Sequence, residues 1–159
     1  MPNEEFADSL QDLVDALVDV AFEYVDFNED EVDAVYLLGS PTNDNYFNNF
    51  FYKINGEVVS GRRINTVIRK PVDLSTERAT AFFAQGSKLL AQLAALFQKH
   101  KLEVPRIVRV VFDVKESSLG LQLDHKHSAY PLAPGQMVDV FMDWLDAVKE
   151  DEASALAAF

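Results

Sequence analysis

The chain has 159 residues, 48% of them hydrophobic, no cysteine and a formal net charge of -12; that length supports one domain with its own core, and the missing thiols exclude disulfides and thiolate metal sites. Residues 1–52 hold 13 acids and no lysine or arginine, whereas residues 53–159 hold 13 acids and all 14 cations, so the negative field belongs to the first third. Such a field repels nucleic acid and anionic membrane and steers cationic partners inward, which argues against direct nucleic-acid binding despite the local cluster Arg62, Arg63, Arg69 and Lys70.

The opening MPNEEF has neither the positive segment nor the apolar run of a signal peptide, and no stretch reaches the roughly 18 apolar residues of a membrane helix. The expectation is a cytoplasmic, single-domain protein over residues 1–159, with its core at 4–150 and a frayed tail at 151–159.

The first predicted element is a helix over residues 4–25, with Asn3 as N-cap and Glu4 and Glu5 at the positive end of its dipole. At helical spacing, Phe6, Leu10, Leu13, Val14, Leu17, Ala21, Tyr24 and Val25 gather on one side as core. Asp8, Asp12, Asp15, Asp19, Glu23 and Asp26 fall opposite, within a sector of about 80°. Like charges at i,i+4 each cost a helix about 0.2–0.5 kcal/mol. Interleaved lysines would relieve that cost, and none is present. Phe22, at the edge of the acidic sector, is either an exposed anchor beside the charges or packing against the last helix.

Three strands are predicted next, at residues 34–38, 46–54 and 57–64, the third resuming through 66–68. Pro41, Asn43 and Asp44 mark the first turn, and Asn55-Gly56 signals a tight hairpin. The middle strand carries Phe47, Phe50, Phe51 and Tyr52 on both faces, which places it inside the sheet or under covers on both sides. Pro71 ends this region, and Ser75 caps a long helix to about residue 100, in which Gly86 marks a close approach to a neighbouring element. A strand at 106–115, with Val108, Val110, Phe112 and Val114 on one face, turns into a partner strand at 119–124 with Leu119, Leu121 and Leu123 alternating. After an irregular stretch, a last helix at 136–149 is expected to bury Val138, Phe141, Met142, Leu145 and Val148. Its flank Asp139, Asp143, Asp146 and Glu150 repeats the acidic-stripe device. The order α-β-β-β-α-β-β-α predicts an α+β fold, a two-layer α/β sandwich with a mostly antiparallel five-stranded sheet.

Signatures of catalysis are missing: there is no P-loop, glycine-rich dinucleotide turn, nucleophile elbow or H-E-x-x-H. The expectation is therefore a protein that is not an enzyme and takes no cofactor. The segment DFNEDEVDAVYL, starting at Asp26, imitates a calcium loop, but Glu31 stands where glycine is needed and Leu37 where a bidentate glutamate is needed. Asp124, His125 and His127 form a minimal metal-ligand set with no recognisable further partner, so no metal is assigned.

The stretches VYLLGSPTNDNYFNNFFYKING, LFQKHKLEVPRIVRVVFDV and LGLQLDHKH resemble the YezG/EsaG-like antitoxin family. The matching landmarks are Val35-Tyr36-Leu37, Gly39, Phe50-Phe51-Tyr52, Pro105 and Gly120, and the resemblance covers residues 8–127. His125-Lys126-His127 and Arg106 stand where that family more often has a tyrosine with acids and a tryptophan. The resemblance implies an immunity protein that neutralises a cognate bacterial toxin, often a nuclease, by tight binding. Basic nuclease clefts suit an acidic array, and the partner-binding set expected here is Asp12, Asp15, Asp19, Phe22, Glu23, Asp26, Asp30 and Glu31. Two other classes remain open: an adaptor of another basic protein using the same patch, and a small metal-dependent enzyme using Asp124, His125 and His127. Oligomeric state has no sequence signal.

Overall fold

The strand VDAVYLLG carries apolar side chains on both faces, a pattern that can be buried only between two covers. The computed structural model of the chain, which describes residues 2–42, 46–125 and 134–151 apart from the side chains of Pro2, Asn3 and Pro134, supplies both. The elements are α1 (Pro2–Glu23), β1 (Val32–Gly39), β2 (Asn48–Ile54), β3 (Glu57–Ser60), a 3-10 turn (Gly61–Thr66), α2 (Thr76–Lys99), β4 (Ile107–Asp113), β5 (Ser118–Asp124) and α3 (Pro134–Glu150). The five strands form one sheet in the order β3-β2-β1-β4-β5, and every neighbouring pair is antiparallel. The α+β class, the antiparallel sheet and the element order are those expected.

Alternation along β1 divides the core. Val35 and Leu37 point to the layer of α1 and α2, where they meet Leu17, Ala21, Phe50, Tyr52, Leu90, Leu93 and Val108. Ala34, Tyr36 and Leu38 point the other way and meet Phe51, Ile107, Phe141, Trp144 and Leu145. Because α3 takes that second face, the sandwich has three layers instead of two. Tyr36 stacks on Phe51 at 4.4 Å between ring centroids, and Trp144 meets both edge-on. The aromatic strand β2 is thus inside the sheet and covered on both sides. Its Tyr52 hydroxyl donates to the Ala21 carbonyl at 2.7 Å, tying α1 to the sheet; burial pushes that phenol's pKa well up.

Local chemistry explains the boundaries. Asn55 and Gly56 both have positive φ, 51° and 84°, as a tight hairpin with the register Ile54 to Glu57 requires. Ser75 Oγ accepts from the Arg78 amide at 3.3 Å and starts α2. Both long helices end with a 6→1 and 5→2 pair of hydrogen bonds, Phe27 N to Phe22 O with Asp26 N to Glu23 O, and Leu102 N to Phe97 O with Lys101 N to Gln98 O. The left-handed residues there are Asp26, Phe27 and Lys101, none of them glycine. α1 therefore stops at Glu23, two residues before the expected end, and begins at Pro2, where the absent N–H costs nothing. The third strand ends at Ser60 because residues 61–66 coil into the 3-10 turn that buries Ile64.

Two expectations about α3 are corrected. The helix buries Met137, Phe141, Trp144, Leu145 and Val148, while Val138 and Met142 stand 49% and 44% exposed. Apolar residues occupy a wide arc of this helix opposite its acidic flank, broader than the face that meets the sheet, so periodicity alone did not select the buried stripe. Because α1 begins at Pro2, Asn3 lies within its first turn and is not the expected N-cap. The turn at Asn43 and Asp44, most of the irregular stretch before α3, and residues 152–159 of the tail lie outside the described residues.

Gly86 packs where expected: a Cβ there would overlap the side-chain amide of Asn48. That amide is buried and donates to the Tyr46 and Phe83 carbonyls and to Ser87 Oγ. Gly86→Ala should lose about 1–3 kcal/mol of stability in urea denaturation, despite alanine's better helix propensity, and Asn48→Ala in the same chain should recover part of it.

Candidate functional site

An acidic helix in a folded domain normally finds cations along its own length. α1 has none, and its last turn carries no basic residue. The rest of the chain supplies cations at its two ends. Arg78 of α2 donates to the Glu23 carbonyl at 2.9 Å, pairs with Asp26 at 3.2 Å and lies over the Tyr24 ring, completing the negative end of the helix. At the other end Lys99 approaches Glu5 at 3.4 Å. Between them Asp8, Asp12, Asp15, Asp19 and Glu23 are exposed. Among the described residues no lysine or arginine pairs with any of these five carboxylates. The stripe is therefore a coherent unscreened face.

Beside it runs a groove of about 390 Å³, lined by Asp15, Val18, Asp19, Phe22, Phe112 and Leu119. α1 lies over β1 and β4, and β5 is the outer strand beyond β4. Val108, Val110 and Phe112 share the helix-side face of the sheet, and register places Leu123, Leu121 and Leu119 opposite them on β5. Leu119 and Leu121 are each 36% exposed. The face therefore combines carboxylates along one wall with an apolar floor.

The expected partner-binding residues divide accordingly. Asp12, Asp15, Asp19 and Glu23 share the outer face of α1. Phe22 is half-buried and meets Phe27 and Phe112 at 5.5 and 6.5 Å between centroids; it packs on β4, not on the last helix, and forms groove floor. Asp26 has left the stripe, because the left-handed turn that ends α1 swings it to Arg78. Asp30 is exposed in the following turn, where its carbonyl and that of Glu29 accept from Lys115.

Glu31 is the clear departure. It is 8% exposed and its carboxylate accepts from Arg69 N at 2.6 Å, Lys70 N at 3.2 Å, Asn28 Nδ2 at 2.7 Å and Asn55 Nδ2 at 3.1 Å. It closes the loop after the 3-10 turn onto the start of β1 and presents no free oxygen edge to a partner. The same contacts account for the calcium-like spelling, since Asn28 serves Glu31 and Asp26 serves Arg78. The groove residues Phe112 and Leu119, and the exposed Leu121 on the same face of β5, were missed as surface. Their alternation was legible, but only the strand order reveals that β5 is an edge.

At the metal-like cluster, Asp124 is buried and lies 4.0 Å from Arg106. It also supports Arg109, whose pKa burial lowers to about 10 against that attraction, and whose guanidinium sits over Trp144 at 5.4 Å. His125 neighbours Phe97, and His127 lies outside the described residues. Among the described residues no group of three or more metal-ligating side chains converges, and no helix is long and apolar enough to cross a membrane.

No protein-family model matches the chain, and no curated relative is significantly similar to it.

The backbone amides that bond Glu31, led by Arg69 N, hold its pKa down to about 2 from an ordinary 4.5. A depressed carboxylate stabilises the fold above its unfolded pKa and loses that contribution as the pH falls towards its folded one. Unfolding midpoints followed by circular dichroism should fall between pH 4.5 and 2. Glu31→Gln should be less stable at neutral pH and show a shallower decline across that window.

Proposed function

We propose that this chain is a cytoplasmic immunity protein, or antitoxin, that neutralises a cognate bacterial toxin domain by tight, non-catalytic binding through the outer face of α1. The toxin domain is basic and of the nuclease class. The observation that carries the reading is the run Asp8, Asp12, Asp15, Asp19 and Glu23, exposed on one helix face without a pairing lysine or arginine among the described residues, beside an apolar groove. A carboxylate array of this kind matches the positive field of a cleft made for phosphates. Removing the intervening cations leaves the whole field available for steering, and fast capture is what protection from a toxin demands. The resemblance of residues 8–127 to YezG/EsaG-like antitoxins points the same way from different residues, most of them structural landmarks of the sheet and α2.

An adaptor for some other basic protein would use the same face. The neighbouring reading frame discriminates: a secreted or contact-delivered toxin beside this chain supports immunity, and its absence favours the adaptor.

The direct test is a triple reversal, Asp15→Lys, Asp19→Lys and Glu23→Lys, with the fold checked by circular dichroism. Affinity for the toxin domain should fall about a hundredfold, mainly through the association rate, whose dependence on ionic strength should flatten. Unchanged affinity and unchanged salt dependence would remove the interface from α1.

A further inference from the structure

The two edges of the sheet differ in how they are protected. β3 is an edge of four residues that runs straight into the 3-10 turn, and α3 packs near it. Short, covered edges do not recruit strands. β5 has seven residues, reads SLGLQLD, and carries neither lysine nor proline. Its one charged side chain, Asp124, is buried beside Arg106. Among the described residues no strand pairs with its outer edge. Natural sheets blunt such an edge with charge, proline or a bulge, and β5 instead shows leucine at two exposed positions.

We propose that β5 is a strand-addition site, and that its occupant is an extended segment of the basic partner with lysine or arginine at alternate positions. This rests on the acidic face of α1 being the docking surface and adds how the partner is held. A strand laid along β5 continues the antiparallel sheet, its main chain pairing along the outer edge that no described strand occupies. Alternate side chains of that strand fall on the helix-side face, next to Leu119 and Leu121, with Asp15 and Asp19 forming the wall above. Lysine and arginine suit this position because their aliphatic stems cover leucine while their charged heads reach carboxylates. A second copy of this chain is the poorer occupant. Pairing β5 with β5 would bring another set of unscreened α1 carboxylates to the same groove, and the net charge of -12 adds repulsion.

The test uses the full chain and two synthetic probes, a peptide alternating lysine and threonine and its glutamate-threonine counterpart. Hydrogen exchange should show slower exchange at β5 backbone amides with the lysine peptide and no change with the glutamate peptide. Leu119→Lys with Leu121→Lys should weaken binding of the lysine peptide about tenfold without lowering the unfolding midpoint. If binding is lost in Asp15→Asn with Asp19→Asn but survives at full strength in the leucine variant, without β5 protection, strand addition is wrong and the acidic docking face stands. If the lysine peptide does not bind, or neither variant affects it, both readings fail. A concentration-dependent dimer with β5 protected in the absence of peptide would make a second copy the occupant and overturn the proposal.

Discussion

Burial of β1 on both faces is the constraint from which the rest follows. Val35 and Leu37 on one side and Tyr36 and Leu38 on the other leave almost no side chain of that strand in contact with water. At about 25 cal/mol per Å² of apolar surface, neither face can be left bare in a domain of ordinary stability. The pair α1 and α2 closes one side and α3 closes the other. Once both are in place, the helix surfaces turned away from the sheet are committed to solvent, and β5, farthest along the sheet from β2 and β3, receives the least cover. The acidic face and the open edge become neighbours through that arrangement alone.

Charge is then distributed by the same geometry. Among the described residues, cations from the later two thirds of the chain reach α1 only at its ends, through Arg78 and Lys99, because α2 packs along its flank. Lys115 serves the turn after α1. Glu31, the one acid of that turn taken inside, is compensated by backbone amides, so no cation is drawn in to neutralise it. Folding therefore offsets the charges it needs to offset and leaves the central stripe with its full field.

Features set by near neighbours were legible in the sequence. The helical wheel of α1 placed Asp12, Asp15, Asp19 and Glu23 together, Asn55-Gly56 announced its hairpin, Ser75 its cap and Gly86 a close contact. Features set by distant partners were not. Glu31 reads like any acid in an acidic loop until residues 69 and 70 arrive with their amides. Asp26 leaves the stripe because a left-handed turn forms at a non-glycine residue. The buried stripe of α3 is decided by the sheet it meets, since its apolar arc is wider than the face that can be buried, and the third layer follows from the same packing. The exposure of Leu119 and Leu121 depends on strand order, which alternation cannot supply.

The chain carries two acidic flanks, on α1 and on α3, and the first borders an open groove. Backbone amide chemical shifts of the labelled protein, recorded as a cationic partner domain is titrated in, separate them directly. The account predicts perturbations confined to the outer face of α1 around Asp12, Asp15, Asp19 and Glu23 and to β5 around Leu119 and Leu121. Perturbations centred on Asp139, Asp143 and Asp146 of α3, with α1 and β5 unchanged, would contradict it.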